Sequence, residues 1–143
     1  MPVYLCSMLP VILPALNLPP FDVRVREQGQ SKQIFDIVRK QFVALTPEEW
    51  VRQHVIHYLN AQLGYPISLM AVEKQVKVNA LSQRADIVVY DKNGAPWMIV
   101  ECKEPSVQLD NEVFLQSLRY FSSLRVPYIV LSNGLQQYCF EMS

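Results

Sequence analysis

The sequence predicts an α/β fold: a mixed sheet flanked by helices, preceded by a β-hairpin. Three observations carry this. The runs Ile87-Val-Val-Tyr90, Met98-Ile-Val100 and Tyr128-Ile-Val-Leu131 are uninterrupted apolar stretches of strand length. Two longer segments, starting near Thr46 and Asn111, read as helices. From Thr46 onward the order is helix, three strands, helix, strand, strand, which makes an α/β sandwich.

The elements follow in order. Phe21-Asp-Val-Arg-Val-Arg26 alternates apolar and polar residues, the pattern of a half-buried strand. A turn near Gly29 and a returning strand over Gln33–Val43 complete the hairpin. Thr46-Pro47-Glu48-Glu49 is a helix start, with Thr as N-cap, Pro in the first turn and Glu three residues on. That helix is expected to end near Leu63, before Gly64-Tyr-Pro66, with Val51, Val55, Tyr58, Leu59 and Leu63 on one face. Strands are expected over 69–78, 85–90 and 97–102, with Asp91-Lys-Asn-Gly94 turning between the last two. A second helix covers Asn111–Leu124. Tyr128–Leu131 is a short strand ending at the turn Ser132-Asn-Gly134, and Tyr138–Met142 closes the sheet as an edge.

At 143 residues one domain is expected, divided into an arm (1–17), a hairpin (18–45) and a core (46–143). Half the residues are hydrophobic and 18% are charged, which argues against disorder. Net charge is zero and the pI is about 6.7, so the chain lacks the basic footprint of an autonomous nucleic-acid binder. The three cysteines, Cys6, Cys102 and Cys139, show no metal-type spacing and fit a reducing cytoplasm. The run Met8-Leu-Pro-Val-Ile-Leu-Pro-Ala-Leu16 lacks a basic flank and a cleavage site, and it is too short and interrupted to span a bilayer. The arm is therefore expected to pack or fray, with Met8 an alternative start.

The chemistry concentrates on two strands. Asp86 opens one, while Glu101 and Lys103 end the next. A carboxylate terminating an apolar strand is costly unless its desolvation is offset. Glu101 and Lys103 are two residues apart and so point to one face. Two carboxylates beside an ammonium suit Mg²⁺, with Mn²⁺ as a substitute, since such ions need only one or two protein carboxylates plus phosphate and water oxygens. A buried ion pair gives the same pattern, and spacing alone leaves both readings open. Three charges on one strand pair leave a carboxylate over, which favours the metal.

Taken with their neighbours, these residues resemble the N-terminal nuclease domain of type I restriction enzyme R subunits, within the PD-(D/E)XK nuclease superfamily. The matching pieces, in the family's order, are Thr46-Pro-Glu-Glu-Trp-Val-Arg-Gln53, Arg84-Ala-Asp86-Ile-Val88, Val100-Glu-Cys-Lys103, Gln116-Ser-Leu-Arg-Tyr120 and Leu131-Ser-Asn-Gly134. Ala85 stands where the superfamily's name has proline. The resemblance implies a restriction-endonuclease-like α-β-β-β-α-β core, Asp86 and Glu101 as metal ligands and Lys103 as the catalytic lysine. The backbone carbonyl of Cys102 is expected as a third ligand. It also implies a helix carboxylate: Glu48, along the inward face with Val51 and Val55, is favoured, and Glu49, already explained by a reciprocal cap with Thr46, is the substitute. Gln116 and Tyr120 share a helix face and stand where the family has its Gln-x-x-x-Tyr element.

The expected activity is Mg²⁺-dependent hydrolysis of DNA phosphodiester bonds. The alternative is a catalytically silent module of the same fold that binds nucleic acid or protein, and RNA or repair intermediates are a less favoured substrate. R subunits carry a helicase motor after this domain and this chain does not, so a protein partner supplying motor or specificity is expected, and a homodimer would suit double-strand cutting. His54 and His57 are one helical turn apart without a third ligand and are expected to be exposed or locally bonded. Arg24, Arg26, Lys32, Arg39 and Lys40 read as a solvated hairpin face ahead of a phosphate-binding patch.

Overall fold

The structure, a computed structural model, describes residues 13–78 and 80–142. Cys6 and most of the apolar N-terminal run lie outside the described residues. What is described of the arm packs: Leu13 is buried with Val23, Ile34 and Trp50, and the Trp50 indole N–H donates to the Pro14 carbonyl at 2.9 Å.

The expected hairpin is a three-stranded antiparallel meander, β1 (Val25–Gln28), β2 (Ser31–Asp36) and β3 (Gln41–Ala44). The return over Gln33–Val43 is broken by Asp36. Its Oδ1 accepts the N–H groups of Val38 (2.7 Å) and Arg39 (3.0 Å), and Lys40 takes a positive φ of 56° to complete the turn. An Asp side chain that bonds the backbone two residues on is a built-in turn former, and here it overrides the strand propensity around it.

Thr46 caps α1 (Pro47–His57), its Oγ1 accepting the Glu49 N–H at 3.0 Å. The helix continues as a π-helical turn over Tyr58–Gln62 and stops before Gly64, which adopts φ 79°. The main sheet then forms from β4 (Met70–Val78), β5 (Leu81–Tyr90), β6 (Pro96–Cys102), β7 (Tyr128–Ser132) and β8 (Gln137–Glu141), in that order across the sheet. Every neighbouring pair is antiparallel except β6 with β7. Parallel strands need a long crossover, and α2 (Asn111–Ser122), capped by Asp110, supplies it. Among the described residues no helix is long and apolar enough to cross a membrane.

Strand alternation divides the core. Ile87, Val89, Met98 and Val100 pack with Val51, Val55, Ile56 and Leu59 of the first helix. Val88, Ile99 and Ile129 pack with Phe121 and Leu124 on the other side. Both sheet faces are covered, which is why these strands read as continuous apolar runs. Gly134 (φ 84°) joins the arm to the sheet: its carbonyl accepts the Asn17 N–H at 2.8 Å, and a Cβ there would meet Leu16 at 2.7 Å.

One irregularity sits beside the future site. Val72 opposes Ile87 and Lys74 opposes Ala85, so the register runs unshifted past Glu73, which stands opposite Asp86 but takes a φ of 53° and drops out of the ladder. No residue is inserted; the strand is kinked there by a positive φ, which is uncommon at a non-glycine position.

Candidate active site

The antiparallel register Ile87–Val100 sets Asp86 and Glu101 side by side at the next step along β5 and β6. The Cys102 N–H donates to Asp86 Oδ2 at 2.7 Å, and Lys103 Nζ lies 3.5 Å from Glu101 Oε2. The Lys103 N–H is itself bonded to the Ser132 carbonyl of β7 at 2.8 Å, so the lysine remains registered with the sheet past the end of its strand.

Helix α2 faces these groups across a cleft of about 450 Å³ lined by Arg84, Ala85, Asp86, Glu101, Lys103, Gln116, Ser117, Tyr120 and Phe121. Five residues singled out from sequence, Asp86, Glu101, Lys103, Gln116 and Tyr120, thus meet in one open space. The helical spacing of Gln116 and Tyr120 turns both into it. Tyr120 is 44% exposed and its hydroxyl accepts the Arg84 N–H at 3.4 Å, so it is no core residue.

The two helix carboxylates part company. Glu48 stays half-exposed at the margin, 3.2 Å from Arg52. Burial and the neighbouring Asp86 push its carboxyl up, against the pull of Arg52 and Lys103. Glu49 is buried and committed elsewhere: Arg39 bonds both its oxygens at 3.0 Å, Arg52 reaches Oε1 at 2.6 Å and Gln53 reaches Oε2 at 2.9 Å. Only half of the expected reciprocal cap exists, because these stronger charge-assisted bonds take the Glu49 carboxylate away from Thr46. The Cys102 thiol is buried in the core, which pushes its pKa well up.

The expectation of three converging charges needs correcting, because the fold brings a fourth. Arg52 Nη2 lies 3.0 Å from Asp86 Oδ1, so Asp86 is paired. Burial alone would disfavour the Arg52 charge, but Glu49 and Asp86 outweigh it and hold the guanidinium above its ordinary range. Glu101 behaves in the opposite way. Burial, then the adjoining Asp86, push it up to about 8, with Lys103 opposing, so near neutrality the Asp86–Glu101 pair retains a proton.

Sequence reasoning missed Arg52, Asp36 and Glu73 as members of this charge system. Arg52 had a signal, since it stands three and four residues after Glu49 and Glu48. Glu73 had none: its carboxylate reaches Arg84 (3.0 Å) and Arg52 (3.5 Å) from a backbone at φ 53°, which no residue pattern announces.

The remaining candidates resolve as structure. His54 is buried and locally bonded, the second of the two expected states, with Nδ1 2.8 Å from the Trp50 carbonyl, and His57 stacks on Phe21 at 4.0 Å. The basic hairpin residues do not form one patch. Arg24 lies over Phe35 and Arg26 over Phe42, each at 4.1 Å, Lys32 pairs with Glu27, and Arg39 turns inward to Asp36 and Glu49. Among the described residues no three His, Cys, Asp or Glu side chains gather as a metal cage. Asp86 and Glu101 remain as a two-carboxylate oxygen donor set.

No curated protein matches the chain. A model of the type I restriction enzyme R protein N terminus does match it, over residues 47–143. The match opens at the first residue of α1 and takes in every element that builds the cleft. It covers more than half of the sequence, and the chain therefore belongs to the family of type I restriction enzyme R protein N termini.

Proposed function

We propose that this domain is a Mg²⁺-dependent endonuclease that hydrolyses DNA phosphodiester bonds, with Asp86, Glu101 and Lys103 at its centre. The observation that carries the reading is the carboxylate pair in an open cleft with an ammonium 3.5 Å from one of its members. A pair that holds back a proton because burial, and then the adjoining carboxylate, disfavour its second negative charge is one that a divalent cation relieves. Two hard oxygen ligands without a third side chain suit Mg²⁺ or Mn²⁺, which complete their shells with water and phosphate, and do not suit a closed structural zinc site.

In this reading Asp86 and Glu101 hold the ion, with the Cys102 carbonyl as a third ligand and Glu48 entering from the helix margin. The ion, when bound, supplies Lewis acidity and lowers the pKa of a coordinated water. Lys103 holds the attacking water in line and stabilises negative charge building on the phosphate. Gln116 and Tyr120 donate hydrogen bonds from the opposite wall, and the exposed Arg84 offers a phosphate contact at the cleft edge. With zero net charge, the grip on DNA is local to this cleft, and a partner subunit adds to it.

The second reading is a silent binding module. One observation favours it: Arg52 on Asp86 and Lys103 on Glu101 balance the two carboxylates without a metal. Plasmid and single-stranded DNA cleavage with Mg²⁺ or Mn²⁺, wild type beside Lys103→Ala, separates the two when run with a Mn²⁺ titration of wild type and Asp86→Ala. Cleavage lost with the lysine and metal binding lost with the aspartate support the nuclease. A protein that neither binds Mn²⁺ nor cuts is the binding module.

A further inference from the structure

We propose that Arg52 is a positioning residue: it fixes the Asp86 carboxylate in its ligating orientation and ties that orientation to the buried charge network of α1. The inference rests on the metal-dependent reading of the cleft.

Asp86 is held at both oxygens, Oδ1 by Arg52 Nη2 at 3.0 Å and Oδ2 by the Cys102 N–H at 2.7 Å. The side chain is pinned across its rotation axis, by a helix on one oxygen and its neighbouring strand on the other. Arg52 does not line the cleft, so it acts on the chemistry through the carboxylates it holds, Asp86 first and Glu48 at the margin. The guanidinium is 3% exposed and spans two elements: Nη1 bonds Glu49 Oε1 at 2.6 Å while Nη2 reaches Glu48 at 3.2 Å as well as Asp86. Its Nε is buried without a hydrogen-bond partner among the described residues. Leaving a buried donor unmade is unfavourable. Arg52 is therefore placed for its carboxylate contacts at the expense of its own satisfaction.

Charge and orientation predict opposite signs. A fixed cation 3.0 Å from a ligand oxygen repels an incoming metal ion, so by charge alone its removal tightens metal binding. Groups that orient a ligating side chain have the contrary effect, and losing them costs roughly 10–100-fold in metal affinity or activity.

Calorimetric Mn²⁺ titration and thermal unfolding of wild type, Arg52→Gln, Arg52→Lys and Arg39→Gln decide the matter. We expect Arg52→Gln to weaken Mn²⁺ binding about 10–100-fold. Arg52→Lys keeps the charge without the two-pronged geometry, and it should recover only part of the affinity. Arg39→Gln damages the same network at Glu49 without touching Asp86, and it should lower thermal stability while leaving Mn²⁺ affinity at the wild-type value. Should Arg52→Gln fail to fold, Arg52→Lys against Arg39→Gln carries the comparison. A folded Arg52 variant that binds Mn²⁺ as tightly as wild type, or more tightly, overturns the proposal and leaves the metal reading standing. A wild type that binds no Mn²⁺ overturns both.

Discussion

Two clusters of charge meet at Asp86, and they are built on different terms. On the α1 side, Asp36, Arg39, Glu49 and Arg52 form a chain of ion pairs at 2.6 to 3.0 Å, with Asp36 fully buried and Arg52 and Glu49 nearly so. On the cleft side, Glu101 and Lys103 stand 3.5 Å apart and face an open space. In the first cluster each charge is bonded by a neighbour. In the second, the contacts are long and a carboxyl group has been pushed up to about 8. Structural ion networks satisfy their members, whereas binding sites leave something for the ligand to satisfy. The contrast assigns the α1 cluster to the scaffold and the cleft cluster to chemistry, with Arg52 reaching from one to the other.

The largest test of that division is Glu49→Ala. Removing one carboxylate leaves Arg39 and Arg52 facing each other without their shared counter-ion, and breaking a buried pair this way costs about 3–5 kcal/mol. Urea unfolding should show that loss. A change below about 1 kcal/mol would mean the network is solvated and the scaffold assignment is wrong.

Lys103→Ala is the opposite case. Its ammonium is partly exposed and its single ion pair is long, so stability should change by less than about 0.5 kcal/mol. Cleavage should nevertheless fall by on the order of 10²–10³-fold, the usual consequence of deleting one group that stabilises developing charge. Unchanged cleavage in a stable variant would move Lys103 into the scaffold with Arg39.

How much of this was legible depends on sequence distance. Asp86, Glu101 and Lys103 were readable because a strand puts its side chains on alternate faces, and the apolar runs around them fixed which stretches were strands. Gln116 and Tyr120 were readable as a helical i, i+4 pair, although that spacing alone did not say they would face the cleft. Arg52 was half-legible: its link to Glu48 and Glu49 is local, but its bond to Asp86 joins residues 34 positions apart and depends on how α1 crosses the sheet. Glu73 was illegible, because nothing in Met70–Val78 marks which residue takes a positive φ. The meander was misread as a hairpin because Asp36 was taken for a polar position in a strand, when its side chain was closing a turn.

The pH dependence sharpens the cleft side further. Glu101 is raised from an ordinary 4.5 to about 8, so the metal-free pair holds a proton below that pH and a cation must displace it. Mn²⁺ affinity should rise about tenfold per pH unit toward pH 8 and flatten above it. In metal-free protein the sign is the reverse for folding. A carboxyl raised on folding contributes stability that is full below the unfolded value and is lost as pH rises through the folded one. Thermal unfolding without metal should therefore show a decline between about pH 5 and pH 8 that Glu101→Gln removes. Mn²⁺ affinity that is flat across that range would show that the pair is not where the ion binds.

The smallest effect tests the boundary of the scaffold at the start of α1. Thr46 Oγ1 accepts the Glu49 N–H, while the Glu49 side chain is drawn away to Arg39, Arg52 and Gln53. Thr46→Ala should thus cost about 1 kcal/mol, the value of one capping bond. Glu49→Gln keeps the backbone N–H that Thr46 uses and weakens only the arginine contacts, so the two changes act on separate bonds. Their effects on urea unfolding should add to within about 0.5 kcal/mol in the double variant. A coupling of about 1 kcal/mol or more would show that the Glu49 carboxylate serves the cap as well as the arginines. The reciprocal box would then be real, and the buried network would begin at the N-cap instead of one turn inside the helix.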